Sequence, residues 1–199
     1  PEGVDERFFD IGRRRRTSAA EPYLLAVSTL HPHKNLDRLI RVFAQFRKVQ
    51  HAFRLVIAGM RGFHSDTVER AIAECGLRDS VQLTGWLPRG ELYGLFERAW
   101  AFLYPTTFEG FGLPVLEALA AGVPAACSDI EPVRSIAGDA ALRFDPLDDS
   151  AILQAMVRLV SDDPLRARLA EEGPRRAGAF SWRKAAVATL DALREAARL

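Results

Sequence analysis

Short apolar runs alternate with longer amphipathic stretches along this chain from Tyr23 onward. Six runs have the length and composition of buried strands: 23–28, 55–58, 81–84, 101–104, 124–127 and 141–144. Between and after them, stretches 34–48, 65–75, 89–98, 113–121 and 149–160 carry apolar residues at three-and-four spacing, the period of helices that cover a sheet. The pattern predicts an α/β fold, a Rossmann-like, doubly wound parallel sheet of about six strands with helices on both faces.

Such a sheet places its ligand beyond the carboxyl ends of its strands. The site is therefore expected in the loops that follow residues 28, 58, 84, 104 and 127.

The two ends of the chain differ from this pattern. The polar head, residues 1–20, is predicted to contain neither helix nor strand and to be a linker remnant, so the sheet domain would cover 21–161. Residues 162–199 predict two or three helices that pack on that domain. The last of them carries one apolar stripe, Ala186, Leu190, Leu193 and Ala197, which should cover either the outer face of the sheet or a second domain.

Composition narrows the class of partner. The 27 basic and 26 acidic side chains nearly cancel, so no overall field favours nucleic acid or an anionic membrane. Cys75 and Cys127 lie far apart in apolar segments and are expected to be two buried thiols in a reducing compartment, the cytoplasm. No apolar run approaches the roughly 18 to 20 residues that cross a bilayer. The expected partner is a small molecule.

The segment 104–124 contains a helix with well-defined ends. Pro114 suits a first helical position, Gly122 suits the left-handed stop and Pro124 follows it, so a helix is predicted over 113–121. Its start faces the strand ends. The free amides of Phe111, Gly112 and Leu113 should therefore form an anion site for a phosphate.

Two glutamates flank this predicted phosphate site. Glu117 is the only polar residue in 114–121, so it should be buried and need hydrogen-bond donors, which a ribose diol would supply. A buried salt bridge to an arginine is the alternative. Glu109 lies in the loop before the helix and is expected to contact the sugar attached to the phosphate, although an exposed loop acid is the alternative.

Several other sites are disfavoured. Gly110 and Gly112 begin a G-x-G-x-x-G fingerprint, but Val115 occupies the third glycine position, which argues against a dinucleotide dehydrogenase. No Walker lysine, no D-x-D pair and no metal-ligand cluster is present, so we predict no metal and no cofactor.

Lys34 follows the first strand and is predicted to open a helix at the carboxyl edge of the sheet. The chain has only three lysines against 24 arginines, and a compact ammonium suits a diphosphate. An ordinary surface lysine is the alternative.

Together these segments resemble the C-terminal half of glycosyltransferase family 4, which comprises retaining enzymes of the two-domain GT-B fold. The resemblance covers essentially the whole chain. Its motifs are Gly3-Val-Asp-x2-Phe8, Val27-Ser-Thr-x5-Asn35 with Lys34 before the asparagine, Val56-Ile-Ala-Gly59, Val81-x-Leu-x-Gly85, Glu109-Gly-Phe-Gly-Leu-Pro-Val-Leu-Glu117, Gly122-Val-Pro124, Ala137-Gly-Asp-Ala-Ala-Leu142 and Phe180-Ser-Trp182.

The resemblance implies a role for each matching residue. Glu109 and Lys34 would act in catalysis, Glu109 on the transferred sugar and Lys34 on the diphosphate. Glu117 would hold the ribose, and Thr29 and Gly59 would belong to the same substrate site. The amides of Phe111, Gly112 and Leu113 would bind the distal phosphate, and the base would lie near Gly85 and Trp86.

Two positions depart from the family pattern. Thr29 replaces a usual arginine, which removes one phosphate cation, and Ser135 replaces a usual glutamate before Ala137-Gly-Asp. The departure at Thr29 puts the charge balance of the site in question more than its activity.

The activity implied is a retaining transfer of a hexosyl unit, with mannosyl as one candidate, from a nucleotide-diphosphate sugar to a glycan or lipid-linked acceptor. The departing diphosphate would be stabilised by cations and amides and would take the acceptor's proton. An N-terminal acceptor-binding domain would be missing, leaving the fragment inactive alone, and that domain could attach the enzyme to the inner membrane face. A non-catalytic nucleotide-sugar-binding module and a GT-B-type sugar-nucleotide epimerase are the alternatives.

Overall fold

The computed structural model describes residues 2–14 and 21–197 and contains one parallel sheet in the order β3-β2-β1-β4-β5-β6. Its strands are β1 (Tyr23–Val27), β2 (Arg54–Ala58), β3 (Val81–Gly85), β4 (Ala101–Tyr104), β5 (Ala125–Ser128) and β6 (Leu142–Phe144). All six predicted strands are present, with ends shifted by one residue at most. The strand order reverses between β1 and β4, and the ligand crevice of such a sheet opens there.

Helices cover both faces of the sheet. They are α1 (Arg7–Arg14), α2 (Leu36–Phe46), α3 (Ser65–Glu74), α4 (Arg89–Arg98), α5 (Leu113–Ala120), α6 (Val133–Ala137), α7 (Asp149–Ser161), α8 (Asp163–Ala177) and α9 (Trp182–Ala196). One apolar core, around Phe43 and Ile57, lies on one face, and a second, around Phe102 and Leu116, lies on the other. The predicted doubly wound fold is confirmed.

Lys34 does not open a helix, which corrects the predicted span of 34–48. It ends a short 3-10 turn, Pro32–Lys34, and α2 begins only at Leu36. Asn35 between them is left-handed, with φ 57°, a conformation that asparagine tolerates better than most residues. The turn fixes the backbone that carries Lys34.

The head of the chain is not featureless, contrary to the prediction. Residues Arg7–Arg14 form α1, whose Phe8 is completely buried and whose Ile11 is buried beside it. The ring of Phe8 packs edge-on against Tyr93 and Phe96 of α4, at centroid distances of 5.0 and 5.1 Å. Two apolar side chains therefore suffice to dock this mostly polar segment. Pro1 and residues 15–20 of the predicted linker lie outside the described residues.

The apolar stripe of α9 does not cover the sheet, so the first of its two predicted alternatives is wrong, whereas packing on a second domain stays a prediction. Ala185 is the buried residue of this helix, whereas Leu190 and Leu193 are 47% and 63% exposed. Three-and-four spacing identifies the side of a helix that can be buried, but it does not show that anything covers it.

The prediction of two buried thiols is confirmed for Cys127 and wrong for Cys75. Cys127 is buried, and burial raises the pKa of its thiol to about 12, whereas Cys75 is only half-buried. No helix within the described ranges has the length and apolar character needed to span a bilayer.

Candidate functional site

A cavity of about 520 Å³ opens at the carboxyl ends of β1, β2 and β4. This is the edge at which the fold predicts a ligand. Nine of the ten predicted site residues line it: Thr29, Lys34, Gly59, Trp86, Glu109, Phe111, Gly112, Leu113 and Glu117. Gly85 is not on the wall, although its carbonyl accepts a hydrogen bond from the Gly59 amide at 3.0 Å.

The first turn of α5 presents its amides to this cavity. Gly112 precedes the helix with φ 111°, in the left-handed region that favours glycine. Within the described residues, no hydrogen-bond acceptor contacts the amides of Phe111, Gly112 or Leu113. These amides and the positive end of the helix dipole are suited to a phosphate.

Lys34 and Glu109 form a largely enclosed ion pair. Lys34 Nζ lies 2.5 Å from Glu109 Oε1, and the two side chains are only 14% and 10% exposed. The Tyr104 hydroxyl donates to the same Glu109 oxygen at 2.6 Å and accepts from Lys34 at 3.2 Å. Burial and the neighbouring Glu109 charge raise the pKa of Tyr104, so its hydroxyl stays protonated. Because an ammonium has three donors, one remains for a ligand.

The loops that carry this pair are tied together. The buried Asn35 side chain donates to the carbonyls of Pro105 and Pro146, at 3.1 and 2.8 Å. The carbonyl of His33 accepts from the Thr107 amide at 2.7 Å and from the Thr106 hydroxyl at 2.9 Å. These hydrogen bonds hold the turn after β1 against the loop after β4, and this arrangement positions Lys34 beside Glu109.

Glu117 occupies a different environment in the same cavity. Its side chain is 14% exposed and forms an ion pair with Arg89 at 3.3 Å. The Arg89 side chain is 62% exposed. Burial raises the pKa of Glu117 to about 7, and the attraction of Arg89 offsets only part of that effect. The predicted burial is confirmed, and the alternative of an arginine partner is also present in a weak form.

Tyr104, Arg89 and Glu2 contribute side chains to the site although they were not predicted as site residues. Tyr104 ends β4 and was read only as a strand residue, Arg89 begins α4, and Glu2 was assigned to a linker. Glu2 lines the cavity, and its Oε2 is buried without a hydrogen-bond partner among the described residues. Tyr104 could have been predicted as a site residue, because a tyrosine at the carboxyl end of a strand brings a polar hydroxyl to the ligand-binding edge of the sheet.

His31 and His33 lie in the turn between β1 and α2. Burial, and next the charge of Lys34, lower the pKa of His33, so its imidazole is neutral at pH 7. Its ring stacks on that of His31 with centroids 5.8 Å apart. Residues 2–14 and 21–197 contain no group of three His, Cys, Asp or Glu side chains that could hold a metal ion.

Residues 10–176 match the family model of glycosyl transferases group 1. The chain belongs to this family. The match includes β1 to β6 and the cavity residues from Thr29 to Glu117, whereas Glu2 precedes the matched region.

Curated proteins with glycosyltransferase names resemble the chain over most of its length. The "O-antigen chain mannosyltransferase B" of Escherichia coli is 32% identical over 176 residues, covering 87% of this chain and 46% of the relative. The "Glycogen synthase" of Mycobacterium tuberculosis is 34% identical over 194 residues, covering 94% of this chain and 45% of the relative. The chain thus spans about half the length of these curated relatives.

The fold is that of solved glycosyltransferase structures of the GT-B class. The sucrose-phosphate synthase of Thermosynechococcus elongatus superposes with a TM-score of 0.84 at 24% identity. The superposition covers 98% of this chain and 51% of that structure. At this identity the likeness supports the architecture alone.

Proposed function

We propose that this glycosyltransferase domain is the donor-binding half of a retaining enzyme of glycosyltransferase family 4. In this proposal it forms the C-terminal half of a two-domain protein that acts in the cytoplasm. The supporting observation is the single cavity that brings together the α5 amides, the Lys34 ammonium and two enclosed carboxylates. A nucleotide-diphosphate sugar carries the complementary groups, since its diphosphate is an anion and its two sugars are hydroxyl donors.

Each part of the donor then has its own contact. The distal phosphate lies on the amides of Phe111 to Leu113 and on the remaining donor of Lys34. Glu109, held by Lys34 and Tyr104, accepts from hydroxyls of the transferred sugar. Glu117 accepts from the ribose diol, and the base lies toward Trp86, which is 68% exposed.

The chemistry proposed is departure of the nucleoside diphosphate and attack by an acceptor hydroxyl on the same face of the sugar. Negative charge grows on the departing phosphate, where the α5 amides and Lys34 stabilise it. The departing phosphate accepts the acceptor's proton, so no dedicated base is required of His31 or His33.

The transferred unit is proposed to be a hexosyl group, with mannosyl preferred because of the similarity to an O-antigen mannosyltransferase. Because the chain is also similar to a glycogen synthase, the binding test includes nucleotide sugars of other hexoses. The acceptor is proposed to be a glycan or a lipid-linked glycan, bound by a further domain.

Calorimetric titration of the 199-residue chain with GDP-mannose, UDP-glucose and ADP-glucose tests this function. One of them should bind, and Glu117→Ala should weaken that binding about tenfold or more, because hydrogen bonds to a charged group are lost. Glu91→Ala, on the exposed surface of α4, is the matched control and should bind as the wild type does. Failure of all three sugars to bind would refute the proposed donor site.

The chain alone should show no sugar transfer, because the acceptor site is assigned to another domain. A coupled assay that detects released nucleoside diphosphate in the presence of a mannose oligosaccharide measures this. Transfer above the rate of donor hydrolysis would contradict the division of roles between two domains.

A further inference from the structure

Glu2 brings a third carboxylate to the cavity that holds Glu109 and Glu117. Its Oε2 is buried and has no partner among the described residues. A buried carboxylate oxygen without a donor is unfavourable, and a ligand that supplies a donor removes that penalty. Because Glu2 lines the cavity, the donor would come from a group bound there.

The backbone that follows Glu2 is anchored at two points, Gly3 and Asp5. At Gly3 a Cβ would lie 2.1 Å from the backbone nitrogen of Trp182, so the segment lies directly against the start of α9. The Asp5 carboxylate accepts from the Tyr93 hydroxyl at 2.5 Å and from the Arg7 amide at 3.0 Å. Glu2 is thus held in place before any ligand binds.

The charges on the wall determine what kind of group Glu2 can meet. Three carboxylates line the cavity, whereas Lys34 is the one lysine or arginine on its wall among the described residues, and Glu109 already contacts it. A phosphate beside Glu2 would be repelled by it, since like charges at short range are unfavourable. A hydroxyl has the opposite preference, because a carboxylate accepts its proton.

We infer that Glu2 accepts a hydrogen bond from a hydroxyl group of the nucleotide sugar. The hydroxyl belongs to the ribose or to the transferred sugar. This inference rests on the proposed function and adds a specificity-determining residue from the segment that precedes the sheet.

Titration of Glu2 variants of the full 199-residue chain tests the inference. The probes are GDP-mannose and GDP, or the corresponding pair for whichever nucleotide sugar the wild type binds. Glu2→Ala should lower affinity for the nucleotide sugar about tenfold. Glu2→Gln should lower it less, because the amide oxygen still accepts. Glu6→Ala, which changes an exposed glutamate of the same segment, should leave the affinity unchanged.

The nucleoside diphosphate distinguishes the two sources of the hydroxyl. If Glu2→Ala weakens both ligands equally, the donor is a ribose hydroxyl, and if it weakens only the nucleotide sugar, the donor belongs to the transferred sugar. Gly3→Ala displaces the segment from Trp182 and should reproduce the loss while Glu2 is still present. Circular dichroism melting of each variant verifies that it is folded.

Two results would overturn the inference, and they are distinguishable. Wild-type affinity or tighter binding in both Glu2→Ala and Glu2→Gln refutes the role of Glu2 and leaves the proposed function standing. A wild-type chain that binds none of the nucleotide sugars refutes the proposed function and the role of Glu2 together.

Discussion

The two ends of the cavity hold their glutamates in different ways. Glu109 is neutralised by Lys34 and bonded to Tyr104, all within a largely enclosed cluster. Glu117 is nearly as enclosed, but its partner Arg89 is mostly exposed and makes a 3.3 Å contact, and burial raises the pKa of Glu117 to about 7. The Glu109 end, called the assembled end below, therefore has its hydrogen bonds in place before a ligand binds. At the Glu117 end, a ligand would supply the hydrogen-bond donors that the carboxylate lacks.

The largest effect is expected from removing the counter-ion at the assembled end. Lys34→Ala leaves the Glu109 carboxylate enclosed without its cation and should lower the free energy of unfolding by about 3 to 4 kcal/mol. Urea denaturation measures this. Lys48→Ala, at an exposed lysine, should change it by less than about 0.5 kcal/mol.

A double variant tests whether the loss of stability in Lys34→Ala comes from the unpaired charge of Glu109. Adding Glu109→Gln to Lys34→Ala removes the unpaired charge, so part of the stability should return. A Lys34→Ala variant as stable as the wild type would show that the two ends do not differ in the way described.

The next effect depends on pH and concerns the other end. The folded pKa of Glu117 is about 7, against an ordinary value of 4.5, so the folded state holds more protons between these pH values. Stability contributed by this group is therefore present below pH 4.5 and is lost as pH rises through 7. Glu117→Gln avoids the loss and should be more stable than the wild type at pH 8 by about 2 to 3 kcal/mol.

Urea denaturation at pH 5 and at pH 8 measures this change in relative stability. The Glu109→Gln variant provides the contrast, because Glu109 has its cation and gains nothing comparable from neutralisation. A Glu117→Gln variant whose stability follows the wild type at both pH values would mean that Glu117 is not a strained carboxylate.

A smaller effect is expected from one hydroxyl at the assembled end. Tyr104→Phe keeps the ring, which stacks on Phe102, but removes the hydrogen bond to Glu109 and should lower stability by about 1.5 kcal/mol. Tyr23→Phe is the matched control, since its hydroxyl donates to a neutral carbonyl, that of Leu95, at 2.6 Å. Nucleotide-sugar affinity should fall in Tyr104→Phe and stay constant in Tyr23→Phe, and the reverse order would contradict the proposed role.

The smallest stability effect is expected from Arg89→Ala. An exposed ion pair contributes at most about 1 kcal/mol, so unfolding should change little. The pKa of Glu117 should nevertheless rise above about 7, because the charge of Arg89 lowers it. Carboxyl ¹³C titration of Glu117 measures this, and an unchanged pKa would show that Arg89 does not act on Glu117.

The central sheet and the phosphate end of the cavity could be predicted because their signals are local. Apolar strands repeat along the chain, and Pro114, Gly122 and Pro124 define α5 within a few residues. The strand ends of a doubly wound sheet then place Lys34, Glu109 and Glu117 together by topology alone.

The remaining features depend on contacts between distant segments. The docking of α1 rests on Phe8 meeting Tyr93 and Phe96, which no spacing within a polar head reveals. The exposure of α9 is equally invisible in its amphipathic pattern. The Asn35 side chain is held by hydrogen bonds to the carbonyls of Pro105 and Pro146, which are distant in sequence.

The contact between Gly3 and the backbone of Trp182 also has a consequence for the order of events during synthesis. A ribosome makes the segment that carries Glu2 before it makes Trp182, and domains generally begin to fold as they emerge. Glu2 and its neighbours, however, lie against a residue that is 180 positions further along the chain. The segment that carries Glu2 can therefore take its place on the wall of the cavity only after Trp182 has been made.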